Sequence, residues 1–138
     1  MERRAVMAGP HAVHTEGNAV PPLDGDLAGL LDDLAGIHPG IDQILDGIRL
    51  IATDRHTLDK TQTLIAATAG GADGTNVLNL IGQTIARLTN PDSNPALRTL
   101  PLDQQKQVQL RGECTAHVLA HPDLHQFASD TSAAIDGD

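Results

Sequence analysis

Aromatic side chains are almost missing: there is no Trp, no Tyr and a single Phe, Phe127, in 138 residues. Stacking platforms for bases, flavins or haem are therefore excluded, and any core has to be assembled from Leu, Ile, Val and Ala. Cysteine is nearly as scarce. Cys114 stands alone, so there is no intramolecular disulfide framework, as expected in a reducing compartment. Basic residues are few as well: nine Lys and Arg face eighteen Asp and Glu, a formal charge of −9. Arg49, Arg55, Arg87, Arg98 and Arg111 are scattered along the chain. Nucleic-acid phosphates and anionic membranes both need a basic face, so both are disfavoured, and a basic partner fits better. Long hydrophobic runs are also lacking. After Arg3 and Arg4 only Ala5 to Ala8 precede Gly9-Pro10, too short for a signal peptide, and no stretch approaches a membrane span. The expectation is a cytoplasmic protein.

What is present is helical periodicity. A chain of this length buries roughly 70% of its extended surface and needs no metal or disulfide to fold. Residues 1–22 carry Gly9, Pro10, Gly17, Pro21 and Pro22 without apolar rhythm and read as a flexible arm containing His11 and His14. Leu23, Leu27, Leu30, Leu31, Leu34 and Ile37 then recur at spacings of three and four, which predicts a helix from about Asp24 to Ala35. Asp24 or Asp26 suits its N-terminus and Gly36 the position just past its end. Pro39 opens a second helix with Ile41, Ile44, Leu45, Ile48 and Ile51 on one side. Its rhythm continues through Leu58 and Ile65 to Gly70-Gly71, which predicts one helix over 40–69. The competing reading is a break at Thr53-Asp54, with Asp54 as a fresh cap.

Asp73 or Thr75 is the expected cap of a third helix with Val77, Leu78, Ile81, Ile85 and Leu88 inward. Gly82 sits in its middle at a cost of about 1 kcal/mol against Ala, which points to a close helix approach. Asn90-Pro91 ends it. Pro101 and Asp103 open a fourth helix to about His121, with Val108, Leu110, Cys114, Val118 and Leu119 as its apolar arc. Pro122 restarts the chain as a short fifth helix with Leu124 and Phe127 inward. The fold class is therefore all-α, a bundle of four or five helices over 23–128, followed by an acidic tail over 129–138.

The sharpest chemical pattern is Cys114-x2-His117-x3-His121, with Asp123 and His125 nearby. Thiolate and imidazole at this spacing share a helix sector and suit zinc or copper. Against that, a lone helical Cys is usually a small core residue, and zinc sites mostly draw on two elements. A Cys114–His117 nucleophilic pair would need an oxyanion hole, and a helix interior has no spare N–H groups to form one. G-x-S-x-G, H-E-x-x-H and the E-x-x-H pair are all absent. Gly70-Gly71-Ala72-Asp73-Gly74 has no Lys and no preceding strand, so it reads as a turn and not a phosphate loop. Asp42 and Asp46 share a helix face with Arg49, as a solvated face commonly does, and Asp24-Gly25-Asp26 lacks the rest of a calcium loop.

These observations favour a non-enzymatic protein–protein interaction or assembly protein without a cofactor. The alternative is a zinc-binding module built on Cys114, His117 and His121. Self-association is also expected. A continuous helix over 40–69 would span roughly 45 Å, whereas its neighbours reach about 20 Å. Leu58, Leu64 and Ile65 would then need a second copy to cover them, as a homodimer.

Overall fold

The computed structural model describes residues 19–71 and 73–137, so most of the expected arm at 1–22 lies outside the described residues. Within them every regular element is helical and there is no strand. The helices are α1 (Gly25–Leu34), α2 (Pro39–Thr53), α3 (Leu58–Ala69), α4 (Val77–Leu88), α5 (Leu102–Leu119) and α6 (Pro122–Ile135), with a 3-10 turn at Pro95–Thr99 before α5. None of the helices among the described residues is long and apolar enough to cross a membrane. The chain divides into two units, Met1–Arg55 and His56–Asp138. That boundary falls inside the stretch 23–128 expected to form one bundle.

In the first unit α1 packs on α2. Asp24 caps α1, accepting the Leu27 N–H at 3.2 Å. The chain leaves the helix through Gly36 at φ 84°, a conformation that favours glycine. The Gly36 N–H donates to Asp42 Oδ1 at 2.9 Å, which ties the turn to α2. Leu31 and Leu45 are the buried side chains of this pair, at 3% and 4% exposure.

The helix expected over 40–69 is broken. Thr53 Oγ1 donates to Arg49 O at 2.7 Å, and Asp54 turns extended as the C-cap of α2. Thr57, not Asp54, caps α3 by accepting the Lys60 N–H at 3.1 Å. Short polar side chains that bond their own backbone compete with helix continuation, and here three of them cluster within five residues. The 45 Å rod therefore does not exist, and with it goes the length mismatch that called for a second copy over Leu58, Leu64 and Ile65. Leu58 is 70% exposed, while Leu64 and Ile65 are partly covered within the second unit.

In that unit α3 pairs with α6 and α4 with α5. Gln62 Nε2 donates to Ser132 O at 3.1 Å, and Ser132 Oγ donates back to Gln62 O at 3.4 Å. The stretch read as an acidic tail at 129–138 is thus helical through Ile135 and forms the second half of α6. The α4–α5 contact is made by small residues. A Cβ placed on Gly82 would meet Leu119 Cβ at 3.2 Å and Ala116 Cα at 3.3 Å, so the close approach expected there is real. A Cβ on Gly112 would overlap the Thr89 side chain outright. The buried face of α5 is accordingly Gly112 and Ala116, flanked by Val108 and Leu119. Leu110, Cys114 and Val118, expected in the inward arc, are exposed. So is Phe127, at 71%, although a fifth helix was expected to turn it inward.

Asn76, not Asp73 or Thr75, caps α4. Its Oδ1 accepts the Asn79 N–H at 2.9 Å while its Nδ2 donates to Gly70 O at 2.7 Å. A carboxylate cannot make that pair of bonds, because the site needs an acceptor facing α4 and a donor facing the end of α3, and an ionised carboxyl group only accepts.

Candidate functional site

Three places gather the chemically distinctive side chains: the Cys114–His121 pattern, a cleft in the second unit, and the outer surface of the α1–α2 pair. In the first, no three His, Cys, Asp or Glu side chains come together among the described residues. Cys114 and His117 lie on the exposed side of α5. The rings of His117 and His121 sit edge to face, 6.4 Å between centroids. α5 ends at Leu119, so His121 belongs to the next helix, and it has a backbone task there: its Nδ1 accepts the Asp123 N–H at 3.1 Å. His38 does the same for α2, accepting the Gly40 N–H at 2.9 Å. Both histidines precede a proline at the first helical position. Each imidazole stands where Ser or Asp usually caps a helix. Sequence reading missed this because His suggests titration or metal before it suggests a cap; the repeated His-Pro dipeptide was the available signal.

Replacing His121 by Ala should cost about 0.5–2 kcal/mol, the usual range for a lost cap, whereas Asn should retain most of it. Urea unfolding of the two variants checks this, and equal losses would show that the cap bond carries no stability.

The cleft, about 650 Å³, is lined by the α3–α4 loop (Gly71, Asp73, Gly74), Asn79, the α5–α6 corner (Ala120, Pro122) and one face of α6 (His125, Gln126, Ser129). The Thr75 backbone N–H, then the Thr75 hydroxyl, hold the Asp73 carboxyl below the usual carboxylate range. His125 is buried, with Nε2 3.0 Å from Leu119 O. A carbonyl only accepts, so Nε2 carries the proton and donates. Asn79 Nδ2 donates to Gly74 O at 2.7 Å, and its Oδ1 is buried without a hydrogen bond.

Asp73, His125 and Ser129 are the residue types of a hydrolytic triad, and sequence reading did not bring them together. The geometry does not make them one. His125 spends its N–H on Leu119 O, and among the described residues no hydrogen bond joins it to Ser129 or Asp73. No Lys or Arg lines the cleft, which disfavours phosphate or carboxylate ligands.

Comparison with family models, curated proteins and solved structures finds no match for this chain.

The third place is the surface of α1–α2. Arg49 reaches Asp32 at 3.3 Å and Asp46 at 3.7 Å. At about 100° per residue, Asp32 and Asp46 each lie on one flank of the buried leucine of their own helix. Leu30 and Leu34 lie on the other flank of α1, and Ile44 and Ile48 on the other flank of α2. All four are exposed, at 62%, 47%, 46% and 39%. Each helix of the pair thus turns an ion-paired flank one way and an uncovered apolar flank the other.

Proposed function

We propose that this chain is a non-enzymatic protein–protein interaction or assembly protein, working through apolar helix faces in the cytoplasm. The observation that carries the reading is the exposed apolar flank formed by Leu30, Leu34, Ile44 and Ile48. Exposed apolar residues scattered singly are ordinary, but a set ordered on two packed helices opposite an ion-paired flank marks a contact surface.

A surface kept for a partner can be changed without unfolding the protein that bears it. The double variant Ile44→Asp/Ile48→Asp should keep its helical circular dichroism and stay within about 1 kcal/mol of the parent in urea unfolding. Binding of an apolar fluorescent dye should fall at the same time. A collapse of the unfolding midpoint would mean that these side chains serve the chain's own core, and the reading would fail.

A further inference from the structure

We propose that the apolar flank of α1–α2 docks a basic amphipathic helix of a partner protein. The inference rests on the interaction reading above and names the occupant of that surface. Two helices packed side by side present the shape that a third helix covers, with anchors at positions i, i+3 or i+4, and i+7. Leu30 and Leu34 on one side and Ile44 and Ile48 on the other supply apolar seats for such anchors.

Charge selects the occupant. Residues 19–55 hold seven aspartates and two arginines, a formal −5 in a short stretch. Of the two arginines, Arg49 is already taken by Asp32 and Asp46 on the opposite flank. Asp26 and Asp33 lie at about 40° and about 60° from Leu30 around α1, on the border of the apolar flank, where they meet the rim of anything seated there. A second copy would bring the same carboxylates to that rim, and like charges facing each other oppose association. A helix with Lys or Arg beside its apolar stripe meets them with the opposite sign. An anionic membrane surface is disfavoured on the same ground.

The test uses the full chain and two synthetic peptides of roughly 18 residues, one of Leu and Lys, one of Leu and Glu, both with leucines on a single helical stripe. Titration followed by fluorescence anisotropy should show saturable, salt-sensitive binding of the Leu/Lys peptide and none of the Leu/Glu peptide. Ile44→Asp/Ile48→Asp should weaken it at least about tenfold, as loss of a central anchor does. Asp26→Lys/Asp33→Lys, which leaves the apolar seats intact, should weaken the Leu/Lys peptide and admit the Leu/Glu one.

Equal binding of both peptides, or binding undisturbed by these changes but lost in Leu110→Asp/Val118→Asp, overturns the proposal. So does a protein that light scattering shows to be a dimer dissociated by Ile44→Asp/Ile48→Asp. That last result would preserve the interaction reading and replace its occupant. A failure of the urea and dye experiment would remove the reading itself.

Discussion

Gly112→Ala should lower the stability of the second unit by roughly 2 kcal/mol, even though alanine is the better helix former by about 1 kcal/mol. The new methyl group would occupy the space of the Thr89 side chain, whose hydroxyl is held by Ile85 O at 2.8 Å and Ala86 O at 3.2 Å. Thr89 cannot swing away without giving up those bonds, so α4 and α5 must separate. Gly82→Ala is the natural comparison. Its Cβ would meet its neighbours at 3.2–3.3 Å, a squeeze of a few tenths of an ångström, and the gain in helix propensity then offsets most of the strain. The cause can be isolated by removing the obstacle: Thr89→Gly in the Gly112→Ala background should recover more stability than Thr89→Ala, because the Thr89 Cβ is itself in the way. Urea unfolding of the four variants decides it. A Gly112→Ala protein as stable as the parent would show that the helices do not approach as described.

Leu45→Ala should cost about 2–5 kcal/mol, the range for emptying a buried leucine site. In the first unit the loss falls on a pair of helices in which, among the described residues, only Leu31 and Leu45 are buried, so little remains to hold α1 on α2. Opening of α2 should then expose the Arg49–Leu50 bond to trypsin and raise its cleavage rate at least about tenfold. Leu50→Ala is the control. Leu50 is 67% exposed, and its removal should leave the cleavage rate unchanged. Equal cleavage of the parent and Leu45→Ala would place the stability of α2 elsewhere than in the Leu31–Leu45 contact.

The elements most legible in the sequence were those held by large side chains. The stripe Leu23 to Leu34 and the stripe Ile41 to Ile51 each mark a helix that is present, and Asp24 caps the first as its position suggests. The break after Thr53 was harder to see because Ile51, Leu58 and Ile65 keep a seven-residue spacing straight across it. Apolar phase alone says nothing of a hydroxyl or carboxylate that bonds its own backbone. The second unit was misread where glycine, alanine and serine make the contacts. Gly112, Ala116, Ser129 and Ser132 carry almost no hydropathy signal, so the search for an apolar arc settled on Leu110, Cys114 and Val118, which face outward. The candidate site suffered from the same bias. Cys114, His117 and His121 share a sector on paper, but the helix stops before His121, and a proline at 122 was already announcing the cap.

The reciprocal bond between Gln62 and Ser132 also bears on the order in which the second unit is completed. α4 and α5 are near neighbours in sequence and can pair as soon as both are made. α3 also touches α4, but its fuller pairing is with α6. The helix that lies along it is the last of the unit, and the two bonded residues stand 70 positions apart. Closing so long a loop carries an entropy cost that local pairing does not. During synthesis the α3–α6 pairing therefore waits until α6 has left the ribosome. The later turns of α6 act as the latch of the unit, although their composition resembles that of a tail.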